Sequence, residues 1–352
     1  MMLFEVAILF FVGLSIIMCC IMLIKLTVNK NKKKKYNKLK SMADILVRNA
    51  IFYDNNAQKT AIPITLRTSK MLSNSNFRSI LVKELLSAKK NISGTSAVNL
   101  ENLYNQLNLD KYASKKLKDR RWHIKAKAIQ ELGIMGQKQY LNIIYRATNS
   151  KNELVRMEAQ TTIVKMFGFE GLRFLDVVSY QITEWQQIQL MQELSRVSAD
   201  NFSGIEKWLE SNNQSVVIFA LKLARNYHRF ELYKQVIDLL YHKNELVRFE
   251  AIHTLAKIYT VDTSKILIDS YLQETLKNKI AIIKTLQLIG FDDDIPELIN
   301  FLEHENDNEL KRHIVRTIAK ISPSGLKNIS ILLQNEQYPL DQIIKQIEGE
   351  FA

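Results

Sequence analysis

Six histidines, two cysteines and three tryptophans are the residues best suited to hold a metal, act as a nucleophile or cage a ligand. His123, His228, His242, His253, His304 and His313 are scattered. The nearest pair, His304 and His313, stands nine residues apart across an expected helix boundary, which is not a metal-ligand spacing. Cys19 and Cys20 both fall inside an apolar run, leaving no thiolate site or disulfide framework elsewhere. Asp292-Asp293-Asp294 precedes Pro296 and reads as a helix start rather than a cation site, because proline suits the first helical turn. Trp122, Trp185 and Trp208 fall near helix starts or apolar faces and are expected to pack. The 10 glycines make no phosphate loop, and neither GxSxG nor HExxH occurs. The sequence therefore points to no catalytic residue, no metal, no cofactor and no enzymatic activity.

What recurs is a helical unit. Lys151–Met166 reads KNELVRMEAQTTIVKM and returns 92 residues later, at Lys243–Ile258, as KNELVRFEAIHTLAKI, with 10 of 16 positions identical. Ninety-two is three shorter periods. Apolar anchors stand at Ala128, Ala159, Leu190, Ala220, Ala251, Ile282 and Ile314, and four residues beyond them lie Leu132, Ile163, Leu194, Ala224, Leu255, Leu286 and Ile318. Seven residues before the anchors come Arg121, Asn152, Thr183, Asn213, Asn244, Thr275 and Asp307, and all but Arg121 are N-cap types. Second apolar segments separate these helices, at Tyr140–Ile144, Leu172–Val178, Ile205–Leu209, Leu232–Leu240, Ile266–Leu272, Ile295–Leu302 and Leu326–Leu333. The spacing predicts antiparallel helix pairs stacked as a solenoid, each burying its face against its neighbours. No segment shows the sustained alternation of a strand.

The motif Leu-Val-Arg-x-Glu-Ala at 154–159 and 246–251 resembles short HEAT-type repeats of the phycobilisome-lyase kind, over about residues 97–337. Its Val-Arg pair fades to Ile124-Lys125, Asn278-Lys279 and Leu310-Lys311, and is absent at Gln186-Gln187 and Val216-Val217. The resemblance implies an all-α fold, an α-solenoid of about seven HEAT-like helix pairs, and a role in binding another macromolecule.

At positions −1, +2 and +6 from each anchor, the helical rotation points side chains away from the core. Lys127, Lys165, Arg196, Lys222, Lys257, Lys284, Arg316 and Lys320 occupy such positions, with Glu158 and Glu250 the acids among them. This stripe is either the solvated surface of a lysine-rich chain or a groove for an acidic partner.

Ahead of the repeats, Val6–Ile24 is a run of 19 uncharged residues, long enough to cross a bilayer. Lys25, Lys30, Lys32, Lys33, Lys34, Lys35, Lys38 and Lys40 follow, 8 charges of a net +13. The charge lies after the run and Glu5 precedes it, the reverse of a cleaved signal peptide. The expectation is an uncleaved single-pass anchor at residues 1–25 in an inner or plasma membrane. The N-terminus is outside, the solenoid cytoplasmic, and a polybasic segment at 26–40 meets anionic lipid headgroups. Residues 41–95 are expected to form a helical linker region and 96–352 the solenoid with terminal caps. The whole plan resembles bacterial membrane-anchored HEAT-repeat proteins thought to work beside membrane glycosyltransferases. It implies a scaffold or adaptor for a protein partner, acidic or membrane-bound. The alternative reading is a nucleic-acid-binding HEAT protein, or a HEAT-like DNA glycosylase or lyase, using the basic groove; the anchor and the absence of a carboxylate set convincingly in the stripe weigh against it.

Overall fold

The structure is a computed structural model describing residues 2–53, 62–195, 197, 204–322 and 339–351, with the side chains of residues 2–12 and 15 outside the described set. All regular structure among the described residues is helical. The chain divides into two compact units, Met1–Met166 and Phe167–Ala352.

The first unit holds α1 (Met2–Ile51), α2 (Leu66–Met71), α3 (Ser75–Asn91), α4 (Thr95–Gln106), α5 (Leu109–Leu117), α6 (Trp122–Ile134), α7 (Leu141–Ala147) and nearly all of α8 (Glu153–Phe167). Helix α1 runs unbroken for 50 residues, about 75 Å at 1.5 Å per residue, in a stretch with no proline and the single glycine Gly13. Its last turns present Leu39, Ala43, Leu46, Val47 and Ala50 at helical spacing, all buried, and pack on α3 and α4. Phe77, Leu81 and Leu85 of α3 and Leu100, Leu103 and Tyr104 of α4 complete this core. The segment expected as a helical linker thus supplies most of it. The expected span Val6–Ile24 occupies the first half of α1, and its residues 6–12 and 15 have side chains outside the described set. Among the described residues, no helix is long and apolar enough to cross a membrane.

Helix α3 follows the repeat pattern outside the seven expected units. Asn74 caps it, accepting from the amides of Asn76 and Phe77, and seven and eleven residues later Leu81 and Leu85 are fully buried. It packs on α6.

The second unit holds α9 (Glu184–Leu194), α10 (Ile205–Leu209), α11 (Gln214–Asn226), α12 (Tyr233–Asp238), α13 (Glu245–Leu255), α14 (Thr263–Ser270), α15 (Leu276–Ile289), α16 (Ile295–His304), α17 (Asn308–Ile321) and α18 (Leu340–Phe351). Helices α10, α12, α14 and α16 each pack on the helix that follows, while α11, α13, α15, α17 and α18 stack in order. This is the expected solenoid of helix pairs. All fourteen anchor residues are buried, thirteen at 0% exposure and Ile163 at 2%, so the 31-residue register is the packing register. Ile343, Ile344 and Ile347 bury the C-terminal helix on α17.

The caps follow with one exception. Asn152, Thr183, Asn213, Asn244 and Asp307 accept from first-turn amides. Thr275 makes no such bond; its hydroxyl donates instead to Glu245 Oε1 at 2.7 Å. The second segments are short and partly 3-10. Gly168–Asp176 is 3-10 throughout, consistent with two glycines in nine residues and a start at Gly168 with φ +58°. Leu326–Leu333 lies outside the described residues.

Three residues past the anchors, Thr254, Thr285 and Thr317 are buried with their hydroxyls 3.2, 3.5 and 3.2 Å from the carbonyls of Leu221, Ile252 and Ile283 on the preceding helix, while Thr254 and Thr317 also donate to Glu250 and His313 of their own helices at 2.7 and 2.9 Å. These hydroxyls place a small polar group at the seam between successive repeats, those of Thr254 and Thr317 shared between a carbonyl of their own helix and one of the helix before. The equivalent Thr162 sits against Gly133 of α6, where an added Cβ would meet its methyl at 2.4 Å; glycine is what permits that approach.

Candidate functional site

In the first unit one face of α3 is left open. Its N-terminus is set by Asn74 and by Arg78, whose Nη1 donates to the carbonyls of Leu72 and Ser73. Held there, the guanidinium lies 4.3 Å from the centre of the Tyr112 ring of α5, a cation–π contact. From this end a groove of about 680 Å³ runs along α3, walled on the other side by α5 and α6. Val82 and Leu86 of α3 with Leu109 of α5 give it an apolar floor. Its rim is basic, with Lys83 and Lys90 of α3, Lys116 of α5 and Lys127 of α6.

The one acid lining it, Glu131, is already engaged. It is buried, accepts from the Tyr104 hydroxyl at 2.8 Å and pairs with Lys116 at 3.4 Å. Burial, reinforced by Glu131, pushes the Tyr104 phenol far above its ordinary range, so it stays a donor. Lys83, Lys90 and Lys127 make no ion pair among the described residues. On the adjoining helix, burial raises the Glu158 carboxyl despite a hydrogen bond from Gln130 and the charges of Lys90 and Lys165.

The expected basic stripe distributes unevenly. Lys127 and Lys165 of the first unit are exposed, Lys127 in the groove and Lys165 beside Glu158. In the second unit Lys222 is half-buried and donates to Gln187 Oε1 at 2.9 Å. Arg316 is held by Glu350 at 2.7 Å, and that pairing keeps the Glu350 carboxyl below its usual range. Lys257, Lys284 and Lys320 are exposed. Arg196 lies outside the described residues. Between these cations Glu250 is buried and ion-paired to Arg225 at 2.5 Å; desolvation raises its carboxyl in spite of Arg225 and Lys222. His253 is lowered by burial and by Arg225, Lys284 and Lys277.

In the lysine block Lys25, Lys30, Lys32, Lys33, Lys34, Lys35 and Lys38 project from α1 into solvent, while Lys40 lies 3.8 Å from Glu84. Of the three tryptophans only Trp208 packs as expected, its indole donating to Asp176 at 2.7 Å. Trp122 and Trp185 are exposed, because they sit in the first turn of their helices, ahead of the packed stretch. Among the described residues no cluster of His, Cys, Asp and Glu could hold a metal.

No family model matches the chain, and no curated protein matches it. Three solved structures align with it at low identity and with TM-scores of 0.40 or less. A protein of Escherichia coli, YibA, aligns with 74% of this chain and 98% of its own at 17% identity, TM-score 0.40. A chain from the complex of Kap95p with RanGDP aligns with 90% of this chain and 47% of its own at 11% identity, TM-score 0.40. The CpcE–CpcF complex of phycocyanin lyase from Nostoc sp. PCC7120 aligns with 85% and 99% at 10% identity, TM-score 0.26. The solenoid architecture accordingly rests on the helix stacking itself.

Proposed function

We propose that the chain is a membrane-tethered scaffold without catalytic activity. Residues Val6–Ile24 of α1 cross the bilayer with the N-terminus outside, and the lysine block lies at the anionic cytoplasmic headgroups. The helical array docks a protein partner on the cytoplasmic side, an acidic protein or a membrane enzyme such as a glycosyltransferase. The observation that carries this reading is the continuity of α1. One helix bears the apolar run, then seven exposed lysines, then the residues buried in the first unit's core. Each lysine near an anionic surface adds about 1 kcal/mol of attraction. A stack of helix pairs offers an extended face of the kind that suits docking.

The test is extraction of full-length protein from membranes. It should stay in the pellet through carbonate and high salt and leave only with detergent. Release by salt alone would show that electrostatics is the whole attachment, and the spanning helix would be wrong.

A further inference from the structure

We infer that the groove between α3, α5 and α6 is a docking site for an acidic amphipathic helix of a partner protein. This rests on the scaffold reading above and gives it a place and a chemistry. Charge complementarity argues first. Five cations, Arg78, Lys83, Lys90, Lys116 and Lys127, line the groove against the single acid Glu131, which is buried and already paired. Lys83, Lys90 and Lys127 lack ion pairs among the described residues, Lys90 feeling only the charge of Glu158 nearby, so an anionic occupant would supply direct partners the fold does not.

Shape decides what kind of anion. Lys83 and Lys90 are seven residues apart on α3, about 10 Å along its axis, and Lys127 comes from another helix. Cations spread in this way do not converge on one phosphate; they flank an elongated ligand. The floor between them is apolar, with Val82 and Leu86 one helical turn apart, so the occupant must present hydrophobic side chains inward and carboxylates outward. A helix with leucines at every third or fourth position and glutamates on its flanks meets both demands. Lipid headgroups of the tethering membrane fit poorly. Leu39, the first buried residue among those of α1 whose side chains are described, lies about 22 Å along the helix beyond Ile24, more than the depth of a headgroup layer.

The experiment uses full-length protein in detergent micelles and a fluorescent synthetic helix of about 18 residues, five turns, built from Leu, Ala and Glu in that pattern. Anisotropy should report saturable binding that weakens about tenfold or more in Lys83→Glu/Lys90→Glu/Lys127→Glu, since charges of like sign then face the peptide. Val82→Ser/Leu86→Ser, checked for native circular dichroism, should weaken it as well. Lys257→Glu/Lys284→Glu/Lys320→Glu, the same charge change on exposed lysines of the second unit, should leave affinity within about twofold. Four results would overturn the proposal: no binding by the parent protein, an equal loss in the second-unit variant, equal binding of a peptide of the same composition in scrambled order, or equal binding of an oligothymidylate of matching charge. Carbonate extraction of the same groove variant separates this from the tethering reading. A variant that stays in the pellet while the peptide results fail sinks only the groove. One released by salt sinks the tether whatever the peptide does.

Discussion

Replacing Arg248 by methionine should unravel the middle of the second unit, and the structure says by how much. Arg248 is the arginine of the recurring Val-Arg pair, and it is not surface. Its Nε and Nη2 donate to the two oxygens of Glu274 at 2.7 and 3.0 Å, and its Nη1 donates to the carbonyls of His242 and Lys243, at the end of the preceding helical segment, at 3.0 and 3.4 Å. Pairing with Glu274 raises the guanidinium further above its already high range. The Glu274 side chain is 5% exposed. Without Arg248 its carboxylate keeps only the amide of Asn278, at 2.8 Å. Arg248 is itself only half-buried, so stranding the Glu274 carboxylate costs about 1–3 kcal/mol, still a sizeable part of a typical domain's total of about 5–15. Because repeats couple to their neighbours, amide exchange should accelerate first in α13 and α15. Urea unfolding followed by circular dichroism gives the total. Arg248→Met/Glu274→Leu should recover most of the loss, since no charge is then stranded. A single-variant loss under about 1 kcal/mol, or a double variant no better than the single, would refute the account of this arginine as a buried tie between repeats.

His228→Gly should raise stability by about 0.5–1 kcal/mol in the same urea assay. Gly136 closes α6 with φ +64°, eight residues past its anchor, and His228 sits at the same place after α11 with φ +50° and a side chain in solvent. A loss of stability would assign the imidazole a role in its contact with Phe230. Burial lowers both His253 and His313, helped by Lys284 near each, so their contribution is complete above the unfolded value of about 6.5 and is lost as pH falls through their depressed folded values. Glu158 and Glu250, raised by burial, contribute with the opposite sign: complete below about 4.3 and lost as pH rises. Below about pH 6.5 the two histidines therefore pull the urea midpoint down while the two glutamates push it up, and in His253→Gln/His313→Gln the midpoint should fall less, or rise more, on acidification than in the parent; an unchanged slope would count against it.

The repeats were readable because their packing is periodic. An anchor at 0% exposure every 31 residues leaves an apolar mark that no polar residue can occupy without cost. Helix α3 escaped because Leu81 and Ala128 stand 47 positions apart, with α4 and α5 between them. Its own signal, Asn74 with Phe77-Arg78 and then Leu81 and Leu85, matches Asn152 with Val155-Arg156 and then Ala159 and Ile163. Of the groove's cations Lys127 was visible as part of the stripe. Arg78, Lys83, Lys90 and Lys116 were not, since their meeting depends on how α3 and α5 pack beside α6. The threonine ladder was equally hidden. A buried threonine looks like any helix residue until a neighbouring carbonyl is found facing it. Lys222 and Arg316 show the reverse failure, because rotation about a helix places a side chain outward without revealing the Gln187 or Glu350 that takes it up.

The unbroken α1 makes the first unit's orientation a matter of phase. Between Lys25 and Lys38 the helix touches no other described helix closely, yet it carries its screw symmetry straight from the apolar run into the core. A single residue inserted there would turn the α3 groove by about 100° about the axis of α1 and move it outward by about 1.5 Å. Eighteen inserted residues would restore the bearing while lengthening the stalk by about 27 Å. The lysine segment is therefore an indexed shaft as well as a charged one, and the direction the groove faces is written in its length.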